Sequence, residues 1–113
     1  MHLDSTVRNN RELWLTVFGY FGHGDDNVRA GRAIERALRD AIDDQESEIR
    51  EVIIDFTNAE AIGGDGPLWA VGPAIRRRLK IRFIASGTNY RCLSDLLRLT
   101  RMDQVICLDR CED

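Results

Sequence analysis

The 113 residues carry 43% hydrophobic and 31% charged side chains at a net charge of −3, the balance of a globular chain rather than a disordered one. That length supports one core, so a single domain over residues 1–113 is expected, and no run approaches the about 18 apolar residues of a membrane-spanning helix. The acidic balance also excludes a general nucleic-acid binder, whose phosphate contacts need a surplus of clustered cations.

Leu3 and the residues to Arg8 form a weak strand, Asn9-Asn10 is a turn signal, and Leu13, Leu15 and Val17 alternate with Trp14, Thr16 and Phe18. The spacing predicts a hairpin whose first strand is an edge and whose second, apolar on both faces, is interior. Residues 22–27 read as a loop ending in helix-capping types, and 28–44 as an amphipathic helix burying Ala30, Ile34, Ala37, Leu38, Ala41 and Ile42. Arg29, Arg32, Arg36, Arg39 and Asp43 then point to water.

Val52, Ile53 and Ile54 predict a buried strand with Asp55 at its carboxyl end, where open α/β sheets place ligands and partners. From Thr57 to Gly66 the chain is expected to leave the sheet as a glycine-rich loop, with Pro67 in the first turn of a helix. Leu68, Val71, Ile75 and Leu79 share a helical face, but Gly72-Pro73 interrupts it and predicts a kink or two short turns. Ile81, Phe83 and Ile84 read as a strand, 86–89 as a turn with capping side chains, and Tyr90, Leu93, Leu96 and Leu97 as a last amphipathic helix. Residues 105–108 close the chain as a short strand. The alternation predicts an α/β domain, a four- to five-stranded, mostly parallel mixed sheet with an antiparallel edge strand and three or four helices.

Catalytic chemistry needs a nucleophile with a base, or ligands at usable spacing, and neither is present in the sequence. His2 and His23 stand apart from any cysteine pair, so no metal site and no cofactor are expected. The loop lacks both the lysine of a phosphate-binding loop and dinucleotide-binding spacing. A receiver-like acidic pocket from Asp25, Asp26 and Asp55 fails on connectivity, because only one helix fits between Asp26 and Val52. Cys92, Cys107 and Cys111 are odd in number, and the N-terminal residues hold no apolar signal core; reduced thiols in a cytoplasmic protein are expected, Cys107 and Cys111 being one buried thiol and one exposed. Arg76, Arg77, Arg78 and Lys80 read first as a solvated helix end and second as a surface for an acidic partner.

Taken together, the hairpin, the single long helix, VIIDF, the glycine loop opening into a helix, IRFIAS and the last leucine-rich helix resemble a STAS domain over nearly the whole chain. That family contains bacterial anti-sigma-factor antagonists, stressosome subunits and the cytosolic tails of sulfate transporters. The resemblance implies a non-enzymatic, regulatory protein-interaction module, bacterial and cytoplasmic, in partner switching or scaffolding. Its partners would be a kinase of the anti-sigma class, another STAS protein, a second copy of the chain, or a transport ATPase, with neither nucleic acid nor membrane insertion. The family's Asp-Ser-Ser-Gly stands here as Gly63, Gly64, Asp65 and Gly66, so Asp65 takes the place of the serine that such kinases phosphorylate. A carboxylate offers one negative charge where phosphoserine offers about −1.5 to −2, a partial imitation. The implied partner-binding set is Asp55, Thr57, Gly63, Gly64, Asp65, Gly66 and Trp69. Asp65 is also a candidate helix cap, and Trp69 is either an aromatic anchor for a partner or core packing beneath the loop. The alternative is a small-ligand domain, for a nucleotide or lipid, using Asp55, residues 22–24 and Ser86.

Overall fold

The computed structural model describes residues 1–44 and 48–111. Strand β1 (His2–Arg8) turns at Asn9 and Asn10 into β2 (Glu12–Gly22), followed by α1 (Gly24–Ile42) and β3 (Glu51–Ile62). Two one-turn helices, α2 (Gly66–Ala70) and α3 (Gly72–Arg76), lead to β4 (Lys80–Ala85), α4 (Gly87–Thr100), a 3-10 turn and β5 (Ile106–Arg110). The sheet order is β1-β2-β3-β4-β5, with β1 antiparallel to β2 and every later pair parallel. Asn9 and Asn10 both adopt positive φ, which asparagine tolerates better than other side chains bearing a Cβ. The expected hairpin, edge strand and mostly parallel sheet are all present, and the break at Gly72-Pro73 yields two short helices.

One face of the sheet carries the core. Leu13, Val52, Ile81 and Ile106 stand side by side in register, with Leu15, Ile54 and Phe83 in the next row. Ala30, Ile34 and Leu38 of α1, Ala70 of α2, Ala74 of α3 and Leu93 and Leu97 of α4 pack onto those rows. All four helices therefore cover the same face. At the centre Phe56 lies edge-on to Phe83, centroids 5.1 Å apart, and to Phe21 at 6.1 Å.

Among the described residues the opposite face has no helix, yet Ile53 is only 1% exposed there. Its neighbours in register are Trp14 and Arg82, long side chains whose apolar parts cover it. Arg8 stacks over the Trp14 ring at 4.0 Å, and Arg82 reaches Glu51 at 3.5 Å and Asp109 at 3.2 Å.

Four boundaries differ from expectation. Helix α1 begins at Gly24, four residues early, so that Asp25 and Asp26 occupy its first turn and favour the positive end of its dipole. Strand β3 does not end near Asp55 but runs to Ile62. Helix α4 begins at Gly87, inside the expected turn, and β5 is shifted to Ile106–Arg110. Cys107 and Cys92 are exposed and Cys111 is half-buried, none of the three in a disulfide, so Cys107 is not the buried one. Among the described residues no helix is long and apolar enough to cross a membrane.

Candidate functional site

The extension of β3 decides where the predicted residues lie. Thr16 pairs with Asp55 but Phe18 pairs with Asn58, so β3 holds one extra residue there. A bulge of this kind switches which side of the strand faces inward, and it lets Phe56 and Ala59, three apart, both be buried. Asp55 fastens the bulge: one carboxylate oxygen accepts the Thr57 backbone N–H at 2.8 Å and the Thr57 hydroxyl at 2.6 Å. At about 3.3 Å per residue, Asp55 stands roughly 23 Å along the strand from Ile62. The seven predicted residues are thus divided. Gly63, Gly64, Asp65, Gly66 and Trp69 come together, whereas Asp55 and Thr57 form a separate structural pair.

Beyond the end of β4 no described strand residue pairs with that side of β3, and α4 supplies the partner. Asn89 donates its Nδ2 to the Ala59 carbonyl at 2.7 Å and accepts the Ile62 N–H at 3.2 Å. A single carboxamide therefore replaces one rung of a β-ladder. On the other side Gly63 N–H reaches the Gly22 carbonyl at 3.1 Å, laying the loop against the β2–α1 connection.

Asn27 holds the loop itself. It is 5% exposed, the one buried polar side chain among the described residues. Its Oδ1 accepts the Gly66 N–H at 2.9 Å, and its Nδ2 donates to Asp65 Oδ1 at 3.2 Å. The glycines follow from this clamp. A Cβ on Gly64 would lie 2.7 Å from the Asn27 carboxamide carbon, and one on Gly66 would lie 2.5 Å from its oxygen. Close approach, not positive φ, is what requires glycine at these two positions.

Asp65 occupies the N-cap position of α2 but makes no side-chain cap hydrogen bond. The expected capping hydrogen bond is absent: such a side chain accepts from the second or third helical N–H, Pro67 has none, and the Leu68 N–H goes to the Asp65 backbone carbonyl at 2.9 Å. Asp65 is instead an exposed residue, its carboxylate held from below by Asn27. Beside it, Ile62, Gly63, Gly64 and Asp65 border a groove of about 360 Å³ whose other wall is Cys92, Asp95, Leu96 and Leu99 of α4. Leu99 is 84% exposed, an apolar side chain in water on the wall facing Asp65. Leu96, part of the apolar pattern that predicted this amphipathic helix, is half-buried and lines this groove.

Trp69 is half-buried and presses on α1. A Cβ on Gly31 would stand 2.6 Å from two atoms of its indole. Gly31 sits inside a helix, where glycine costs about 1 kcal/mol relative to alanine, and the indole explains why it is there. Gly31→Ala is expected to push the ring outward, with a net loss of about 1–2 kcal/mol after the propensity gain. Trp69 emission in a Trp14→Phe background reports it as a red shift.

Sequence reasoning missed Asn27, Asn89, Gly31 and Leu99 as members of this region. For Gly31 a signal existed, an isolated glycine inside a strong helical pattern. Asn27 and Asn89 read as caps, since nothing local shows what backbone lies opposite them. Among the described residues no group of three or more His, Cys, Asp or Glu side chains is placed to hold a metal ion.

The sheet order, the helices gathered on one face and the clamped loop between β3 and α2 define an α/β fold of STAS type. The solved structure of the anti-sigma factor antagonist SpoIIAA in its unphosphorylated form matches it with a TM-score of 0.55 at 14% identity, covering 92% of this chain and 97% of that chain. No family model matches the chain, and no curated protein does.

Proposed function

We propose that the chain is a non-enzymatic protein-interaction module that docks a regulatory partner through the 62–66 loop and the adjoining groove on α4, with Asp65 as a fixed recognition charge. The observation that carries this reading is the clamp. A buried asparagine and two glycines that tolerate no Cβ fix an exposed aspartate whose carboxylate, bonded to that asparagine, forms no helix cap. Preorganisation of this kind reduces the ordering cost of binding. The groove adds Leu96 and Leu99, apolar contacts of the sort a partner would desolvate.

The shared fold with an anti-sigma factor antagonist supports a partner of the anti-sigma class, with another STAS protein or a transport ATPase as the remaining candidates, in the cytoplasm of a bacterial cell. Asp65 cannot accept a phosphoryl group as serine does, so the loop is held in one signalling state. The competing small-ligand reading needs a free Asp55 carboxylate, and Thr57 occupies one of its oxygens twice over.

Asp65→Ser tests the charge directly. Asp65 is exposed but accepts the buried Asn27 Nδ2 at 3.2 Å, so the variant is expected to stay folded with a loss of about 1–2 kcal/mol. Incubated with an anti-sigma-class kinase from the same genome, it is expected to bind more tightly than the parent chain and, with ATP, to gain one phosphate by intact-mass measurement. Absence of both would remove the anti-sigma class and leave a STAS protein or an ATPase as the partner.

A further inference from the structure

We propose that the opposite end of the sheet binds a small, multiply phosphorylated anion. The amino ends of β2, β3 and β4 are drawn together by backbone hydrogen bonds, Arg50 N–H to the Arg11 carbonyl at 2.7 Å and Lys80 N–H to the Arg50 carbonyl at 3.0 Å. The end of α3 arrives beside them through Arg77 and Arg78. Between these segments lies an open cavity of about 620 Å³ lined by Arg11, Arg50, Arg77, Arg78 and Lys80, with Glu12, Glu51 and Leu79.

Five cations meet two carboxylates here, in a chain whose net charge is −3. Glu51 is engaged by Arg82 at 3.5 Å, and Arg77 reaches Asp43 at 3.2 Å. Arg11, Arg50, Arg78 and Lys80 form no ion pair among the described residues, so four cationic heads border one concavity against Glu12, the lining carboxylate that Arg82 does not engage. Guanidinium groups match phosphoryl oxygens with paired donors, and several such groups around one cavity select a ligand carrying more than one phosphate.

The cavity also indicates what the ligand lacks. Among the described residues Leu79 is its one apolar lining side chain and no aromatic ring borders it, so none of them would stack a base. Concavity favours a small anion over an extended acidic protein surface.

Arg78 supplies a test that separates binding from folding. Its φ is +56°, the left-handed conformation that glycine adopts at helix ends with less strain. Arg78→Gly removes a cation while relaxing the backbone. Its melting temperature should therefore equal or exceed that of the parent.

Calorimetric titration of the full chain with inorganic tripolyphosphate at low ionic strength is expected to show one saturable site. Arg78→Gly should weaken it about tenfold, and Arg78→Gly with Arg11→Gln about a hundredfold, the range for losing one charge-assisted contact at a time. Added salt should weaken the parent more than the double variant. No binding by the parent, or equal binding by the double variant, would overturn the proposal. So would binding to vesicles of equal parts phosphatidylcholine and phosphatidylserine with no response to tripolyphosphate, since that assigns the patch to a membrane surface. Asp65 lies at the other end of the sheet, so either outcome leaves the loop reading untouched.

Discussion

Asn27→Ala is expected to lower stability by about 2–4 kcal/mol and to release the 62–66 loop. The Gly66 N–H loses its acceptor in a buried position, which costs about 1–3 kcal/mol, and the vacated volume adds a cavity term. At the few degrees per kcal/mol expected of a domain this size, the melting temperature should fall by roughly 10–20 °C. Hydrogen exchange localises the effect: the Gly66 amide should lose protection, while amides of β2 and α1 away from the loop keep theirs relative to global unfolding. Asn27→Asp is the informative companion. It retains an acceptor for Gly66 but sets a second carboxylate against Asp65, so Asp65 is expected to swing away and the clamp to weaken as the two like charges repel.

Phe56→Ala should cost more, about 3–5 kcal/mol. Phe56 is fully buried and is the shared member of two edge-to-face contacts, with Phe21 on β2 and Phe83 on β4. Removing it opens a void where three strands meet, at the bulge that Asp55 and Thr57 secure. Against a typical total of 5–15 kcal/mol, a loss of this size leaves a marginal domain. Chemical denaturation should show the midpoint falling with little change in slope. Phe56→Leu, which keeps most of the volume, should recover more than half of the loss.

How far the sequence reveals this molecule differs by element. Helix α1 is legible because Ala30, Ile34 and Leu38 repeat at helical spacing, with arginines on the outer face. The β1–β2 hairpin is legible because Asn9-Asn10 tolerates the turn's positive φ. The parallel sheet follows from strand and helix alternation. The continuation of β3 through Asn58 and Glu60 is not legible, since Thr-Asn-Ala-Glu-Ala carries little strand propensity. It is extended because β2 pairs with one side and Asn89 with the other, both distant in sequence. The site shows the same split. Asp65 and its glycines stand out locally as a loop, but the reason for the glycines is a side chain 39 positions earlier in the Gly66 contact. Asp55 illustrates the converse error: an acid after an apolar run looks like a site residue, and the structure uses it to fasten a bulge.

The central claim is that a partner reads the carboxylate presented by this loop. It is tested most directly by measuring the affinity of the partner, captured from cells of the source organism, for the parent chain and for Asp65→Lys, with both shown to be folded by amide spectra. The account predicts that the charge reversal abolishes binding, whereas Asp55→Asn, tied into the bulge and far from the loop, leaves it intact. Equal affinity of the partner for the parent and Asp65→Lys would contradict it.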